Sequence, residues 1–329
     1  MGTIARSHVC VEQVIPIELP TPFPVGPVNV YVILAEKLTL VDTGLNWGDS
    51  WRILNHSLEE HGFSIRDIEQ IVLTHHHLDH MGMLNRILQV NPVPVYGHPN
   101  ARTWLRQEPE FVQWQDEFFR SFFREMGVPD ELANEHQTYH KRMEQYAGKA
   151  DLTHSVQEGD TIPGMPGWTV VDTRGHAQSH IALFRERDGL LVAGDHIIGH
   201  ISSNALIEPP LEPGAERAKP LLLYRENLRK CAALPVTRVL SGHGDEVENL
   251  PTLVNHRLLK MDERADNIKK ILARGAVTAF DVVQALFPDK YRKQVGLAVS
   301  EVVGHLDLLL ARGEIVAEKK GEFLMYRPV

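Results

Sequence analysis

The chain reads as an α/β protein carrying a helical insertion and a small helical C-terminal module. Three observations lead to that class. Short β-rich runs alternate with helical or turn-rich stretches over residues 11–98 and again from 167 to about 245. Residues 99–148 interrupt this pattern with aromatic side chains at helical spacing. Past residue 251, three helical patterns lead into a terminal hairpin.

In chain order, Val28–Leu34 and Leu38–Val41 read as neighbouring strands joined by the turn Ala35-Glu36-Lys37. A helix follows over Asp49 to Gly62, with Gly62 as its stop. Ile71–Thr74 and Val93–Tyr96 are the next strands. In the insertion, Trp104, Phe111, Trp114, Phe118, Phe119, Phe122 and Phe123 lie among charges. Met126-Gly127-Val128-Pro129 then separates them from a second amphipathic stretch, Glu131 to Tyr146, so a helical hairpin is expected. Strands resume at Trp168–Val171, Ile181–Phe184, Leu190–Ala193 and Arg238–Leu240. The tail has helical patterns at Leu253–Arg274, Ala279–Leu286 and Val295–Arg312. Its hairpin pairs Glu314–Ala317 with Phe323–Tyr326 across Lys319-Lys320-Gly321-Glu322. The expected division is a catalytic part over 1–250, with 99–148 as a lid-like insertion, and a winged-helix-like module over 251–329.

Composition excludes several classes. At 329 residues with 43% hydrophobic and 23% charged side chains, the chain is long enough and ordinary enough for a large globular core. A net charge of −9 argues against nucleic acid or anionic membrane as a partner. No run is long enough for a membrane span, and Met1-Gly2-Thr3-Ile4-Ala5-Arg6 carries neither a secretory nor a myristoylation signal. The two cysteines, Cys10 and Cys231, stand apart from every polar motif and read as small apolar residues, which fits a reducing cytoplasm. Histidine is in excess, at 18 residues.

That excess concentrates in His75-His76-His77-Leu78-Asp79-His80, at the end of the apolar run Ile71–Thr74. Imidazole and carboxylate are donors for divalent transition metals, and such a density has no use in a core. Single matching residues recur downstream, each just after a strand: His176 in Arg174-Gly175-His176, Asp195 in Ala193-Gly194-Asp195 and His243 in Ser241-Gly242-His243-Gly244. Asp42 stands in Val41-Asp42-Thr43-Gly44. Loops at strand ends can aim such side chains at one point.

This ordered set resembles the metallo-β-lactamase superfamily, in its dinuclear hydrolase branch, over residues 28–245. The resemblance implies an αββα sandwich. It implies that His75, His77 and His176 hold one metal, that Asp79, His80 and His243 hold a second, and that Asp195 bridges both. Asp42 would then organise the ligand loop from behind. Two neighbouring cations repel, and a carboxylate between them is what such a pair needs. Nitrogen and oxygen donors without thiolate suit zinc first, with iron or manganese as alternatives.

Other histidines read more plainly. Alternation turns His76 out of the site. His180 and His196 neighbour ligands and are expected behind them or, alternatively, in contact with substrate. His136, His140, His154 and His200 read as surface or lid residues.

The implied chemistry is metal-dependent hydrolysis by a metal-bridging hydroxide, with Asp79 also orienting the nucleophile or moving a proton. The substrate expected is a small ester, thioester or lactone, on the ground that the aromatic insertion can form an apolar lid. The same aromatics also suit internal packing or a homodimer interface. A nuclease with a winged helix is the alternative. Beyond residue 250 there are thirteen Lys and Arg against ten Asp and Glu, so the first 250 residues hold more than the whole negative balance and would repel nucleic acid. The last helix also lacks the cations of a groove reader. A mononuclear iron dioxygenase is a further alternative. Asp195 is followed by His196-Ile197-Ile198-Gly199 rather than by the early Tyr of acyl-homoserine lactonases.

Overall fold

A computed structural model describes residues 13–329. Cys10 and the N-terminal hexapeptide lie outside the described residues. The first half contains β1 (Gln13–Leu19), β2 (Val28–Leu34), β3 (Leu38–Val41), α1 (Ser50–Glu60), β4 (Gln70–Val72), α2 (Leu78–Met81), α3 (Leu84–Val90) and β5 (Val95–Gly97). The insertion supplies α4 (Ala101–Arg106), α5 (Pro109–Glu125) and α6 (Asp130–Glu144). Then come β6 (His154–Ser155), β7 (Trp168–Asp172), β8 (Ile181–Arg185), β9 (Leu190–Gly194), α7 (Pro220–Ala233) and β10 (Arg238–Ser241). The chain closes with α8 (Leu250–Leu272), α9 (Ala279–Leu286), α10 (Val295–Ala311), β11 (Ile315–Lys320) and β12 (Phe323–Pro328).

Strands β1 to β6 form one sheet in chain order, and β10-β9-β8-β7 form a second. The period-two alternation of each strand decides the layering. In β2, Val28, Val30 and Val32 face an outer cluster with Leu54, Leu58, Leu84 and Ile87 of α1 and α3, whereas Tyr31 and Ile33 face inward. In β9, Leu190 and Val192 face inward while Leu191 and Ala193 face the opposite helices. The inward sets meet, with Val41, Val72 and Tyr96 packed against Trp168, Ile181 and Leu240. Helix, sheet, sheet and helix therefore stack as four layers.

The outer face of the second sheet carries the longer chain segments. Val171, Ala182, Phe184 and Leu191 share one apolar cluster with α7, α8, α9 and α10 and with Phe122, Phe123 and Leu132 of the insertion. Phe111, Phe122 and Phe123 are buried, so much of the aromatic stripe goes into internal packing. Helices α5 and α6 pack as the expected hairpin, preceded by the shorter α4, which the aromatic pattern did not resolve as a separate element. The strand expected over Ile71–Thr74 is paired only to Val72 as a regular ladder. The amide of Thr74 turns instead to the Asp42 carboxylate. Cys231 is fully buried, and burial pushes its thiol up to about 12. Among the described residues, no helix is long and apolar enough to cross a membrane.

Both sheets end at one edge. Asp42 follows β3, the histidine motif follows β4, His176 follows β7, Asp195 follows β9 and His243 follows β10. The sheets are stitched together there, because the Asn29 amide donates to the Gly242 carbonyl at 2.7 Å and Tyr31 Oη donates to the Ser241 carbonyl at 2.6 Å.

Candidate metal centre

The site is built from local backbone outward. After Thr74 the chain stays extended through His77, whose ψ is 151°. Alternation therefore puts His75 and His77 on one side and His76 on the other. The single turn of α2 then brings Asp79 and His80 back toward the same point, with the His80 amide donating to the His77 carbonyl at 2.9 Å. Gly194 has φ +47°, a left-handed conformation that lets β9 deliver Asp195 sharply. At Gly242 a side chain would run into Asp195 Oδ1, so this strand end has room only for glycine.

The seven residues converge. His75 Nε2 lies 3.0 Å from His77 Nδ1, and with His176 they form a set of donor atoms all within 4.8 Å of one another. Asp79, His80 and His243 form a second such set, with His243 Nε2 lying 3.3 Å from Asp79 Oδ2. Asp195 sits between the two sets. Its Oδ1 is 3.2 Å from His80 Nε2, and its Oδ2 is 3.5 Å from His176 Nε2 and 3.4 Å from His243 Nε2.

The opposite nitrogen of each imidazole is held from outside. His80 Nδ1 donates to Asp42 Oδ2 at 2.8 Å, His243 Nδ1 to the Pro27 carbonyl at 2.6 Å and His176 Nδ1 to the Asn204 carbonyl at 2.8 Å. His77 Nε2 lies 3.3 Å from Glu208 Oε1, and His75 Nδ1 lies 3.0 Å from the Thr74 hydroxyl. Inward, His80 Nε2, His176 Nε2, His243 Nε2 and Asp195 Oδ1 are buried without a hydrogen-bond partner. Buried polar atoms are normally paired, so a ring of inward-facing lone pairs fits divalent cations. The outer contacts fix the tautomers such ligation needs.

Electrostatics divide the centre in two. Burial, then the neighbouring His80 and His77, hold the His75 ring well below the ordinary imidazole range. Burial, then His77, lowers His176 to about 4. Burial also works against the charge on His243, but Asp195 and Asp79 outweigh it and lift its pKa to about 10. His80 is raised well above its ordinary value, because Asp195, Asp42 and Asp79 overcome the same burial. Asp195 is held well below the carboxylate range, where His80 and His243 prevail over burial.

The remaining histidines follow different paths. His76 does point away from the seven residues, yet not toward solvent: it is buried, its ring stacks on Trp104 at 4.2 Å, and its Nδ1 is 2.7 Å from Ser179 Oγ. His180 and His196 are both fully buried. His180 accepts the Asp195 amide at 3.1 Å while its Nδ1 is 2.7 Å from Thr173 Oγ1, so it stands behind the carboxylate. His196 packs edge-on against Tyr224 at 5.1 Å. His140, His154 and His200 are exposed, and His136 is half-buried against Phe123.

Sequence reasoning missed Glu208, whose carboxylate lies behind His77 and 3.0 Å from His76 Nε2. It also missed the Pro27 and Asn204 carbonyls, which have no side-chain signature. A glutamate set among apolar residues and prolines in Ile207-Glu208-Pro209-Pro210 was the available signal.

A chain from Thermus thermophilus, described as a metallo-beta-lactamase family protein, superposes with a TM-score of 0.80 at 24% identity, covering 96% of this chain and 98% of that one. The "Probable metallo-hydrolase YqjP" of Bacillus subtilis is 37% identical over 316 residues, 96% of this chain and 98% of its own length. "Thioesterase pkgB" of Emericella nidulans is 26% identical over 251 residues, 75% of this chain and 55% of its own length. The family model for the metallo-beta-lactamase superfamily matches residues 23–243, a span that includes all seven convergent residues, and the chain belongs to that superfamily.

Proposed function

We propose that this metallo-hydrolase uses two divalent ions to cleave a small carboxylic ester, thioester or lactone. One observation carries the reading: Asp195 lies within 3.5 Å of nitrogen donors from both sets, as a carboxylate shared by two ions would. Bound ions supply an activated water and electrophilic polarisation of the scissile group. Zinc suits the donor set first, with iron and manganese as alternatives.

The chain's own residues supply the rest. Asp79 is 7% exposed and leans on His243 through Oδ2, which leaves Oδ1 to orient the attacking water or take its proton. Asp42 and Glu208 keep His80 and His77 in the tautomers that direct lone pairs inward. The insertion bounds the site, since Trp104 covers His76 and Trp114 Nε1 donates to the Pro210 carbonyl at 2.8 Å. On α6, burial and then the Asp79 carboxylate raise the phenol of Tyr139. Similarity to a thioesterase supports the acyl-substrate reading. The tail, in this proposal, is a winged-helix-like brace for the site and not a nucleic-acid reader.

The test is elemental analysis of the purified protein followed by a panel of thioesters, lactones, carboxylic esters and phosphodiesters. Two ions per chain and turnover of an acyl substrate are expected. Cleavage of phosphodiesters alone would overturn the substrate class, and a single iron per chain would overturn the two-ion reading.

A further inference from the structure

The outer supports of the centre come from two separate parts of the chain. On one side, His80 rests on Asp42 and His243 on the Pro27 carbonyl, both from the first sheet and the loops beside it. On the other, His77 rests on Glu208, and His176 on the Asn204 carbonyl and Ser203 Oγ, 2.9 Å from its Nδ1. Residues 203–208 thus form one strap behind two of the three histidines in the first donor set.

That strap is tied down at several points. Asn204 Nδ2 donates to the Leu297 carbonyl at 3.0 Å, and the Ile207 amide donates to Ser300 Oγ at 3.1 Å, both on α10. Glu208 Oε2 accepts the Gln178 amide at 2.8 Å, beside His176. Glu208 Oε1 faces both His77 Nε2 at 3.3 Å and His76 Nε2 at 3.0 Å. His76 is itself clamped between Ser179 and Trp104. The carboxylate therefore hydrogen-bonds the Gln178 amide and His77 Nε2 and lies in ion-pair range of His76 Nε2.

We propose that Glu208 is a positioning residue for the His75/His77/His176 metal position alone, and that the strap couples this position to α10. The proposal rests on the two-ion reading above. Glu208 holds the His77 ring with Nδ1 turned inward, and a leucine there would leave the ring free to rotate. Loss of a support behind a ligating histidine typically weakens binding by roughly 10–100-fold. The other position keeps Asp42 and Pro27 and is spared. The tail's contribution is then mechanical, because α10 holds the segment that holds the histidines.

The experiment uses the full chain, stripped by chelator and titrated with Zn²⁺ and with Co²⁺, whose absorption reports ligand geometry. Wild type, Glu208→Leu, Glu208→Gln and Asp42→Asn are compared for the two stepwise affinities. Glu208→Leu is expected to weaken one ion by about 10–100-fold and leave the other unchanged. Glu208→Gln, whose Oε1 still accepts from one imidazole, falls between. Asp42→Asn weakens the opposite ion, and its Co²⁺ spectrum differs from that of Glu208→Leu. Folded Glu208 variants that bind both ions as wild type does, or lose both equally, would overturn the proposal. If Glu208→Leu does not fold, the near-isosteric Glu208→Gln decides it on the same criterion. A wild type holding one ion would instead defeat the two-ion reading, and Glu208 would then be judged by whether Glu208→Gln weakens that ion.

Discussion

Asp42 reaches across from β3 to His80 and accepts its Nδ1 proton at 2.8 Å, through a carboxylate that is itself buried. The same carboxylate accepts the amide and the hydroxyl of Thr74, each at 2.7 Å. Three donors converge on a residue whose φ of 61° is left-handed, a conformation that aspartate and asparagine tolerate better than other side chains. One group thus ends the ladder of β4 and sets the face His80 shows the centre.

Asp42→Asn preserves the size and the backbone preference but turns an amide toward one of those donors. Metal affinity should fall by roughly 10–100-fold with little change in fold. A competition titration against a chelator, with circular dichroism as the fold control, measures it. Unchanged affinity would remove Asp42 from the role given to it.

Metal uptake should release protons at one position more than at the other. With His243 at about 10 and His80 also raised, the metal-free protein at pH 7 holds protons that an ion must displace from the Asp79/His80/His243 set. Each displaced proton makes affinity there rise about tenfold per pH unit up to roughly pH 10. His75 and His176, whose pKa values are lowered, have no such competition near neutrality. Calorimetry in buffers of different ionisation enthalpy should show stepwise binding with proton release confined to one step.

His98 supplies an acid-linked loss of stability outside the centre. It follows β5, is buried, and accepts the Asn100 amide through Nδ1 at 3.1 Å. Burial, then Arg174, lowers it to about 4. The unfolded chain takes up this proton near pH 6.5 and the folded chain does not, so stability falls as pH drops from about 6.5 toward 4. His98→Asn keeps an acceptor and removes the titration, and its melting temperature should fall less steeply over that range. An unchanged slope would count against His98 as a contributor.

The insertion should be structural as well as a boundary of the site. Phe123 is 2% exposed and packs in the cluster shared with α8, α9 and α10. Phe123→Ala should cost about 3–5 kcal/mol in urea unfolding, the usual range for a fully buried aromatic. A cost below about 1 kcal/mol would mean the insertion packs loosely on the rest.

What could be read in advance follows the range of each physical signal. Most strands of both sheets, the helix after Asp49, and the tail's three helices with their hairpin were legible because hydrophobic period is a local property, whereas the edge strands β1 and β6 were not singled out. The seven convergent residues were legible because imidazole and carboxylate placed just after strands announce their chemistry by side-chain type. Glu208 was not, since it meets His77 from 131 positions away. The carbonyls of Pro27 and Asn204 were not either, because any residue carries that atom. His76, correctly turned from the ligand face, still went unrecognised as buried, since only packing of α4 puts Trp104 over it. By itself, then, the sequence determined which side chains could hold metal and on which strand ends they stand. Only the tertiary structure decided which buried group stands behind each imidazole, because that pairing depends on distance in space and not on distance along the chain.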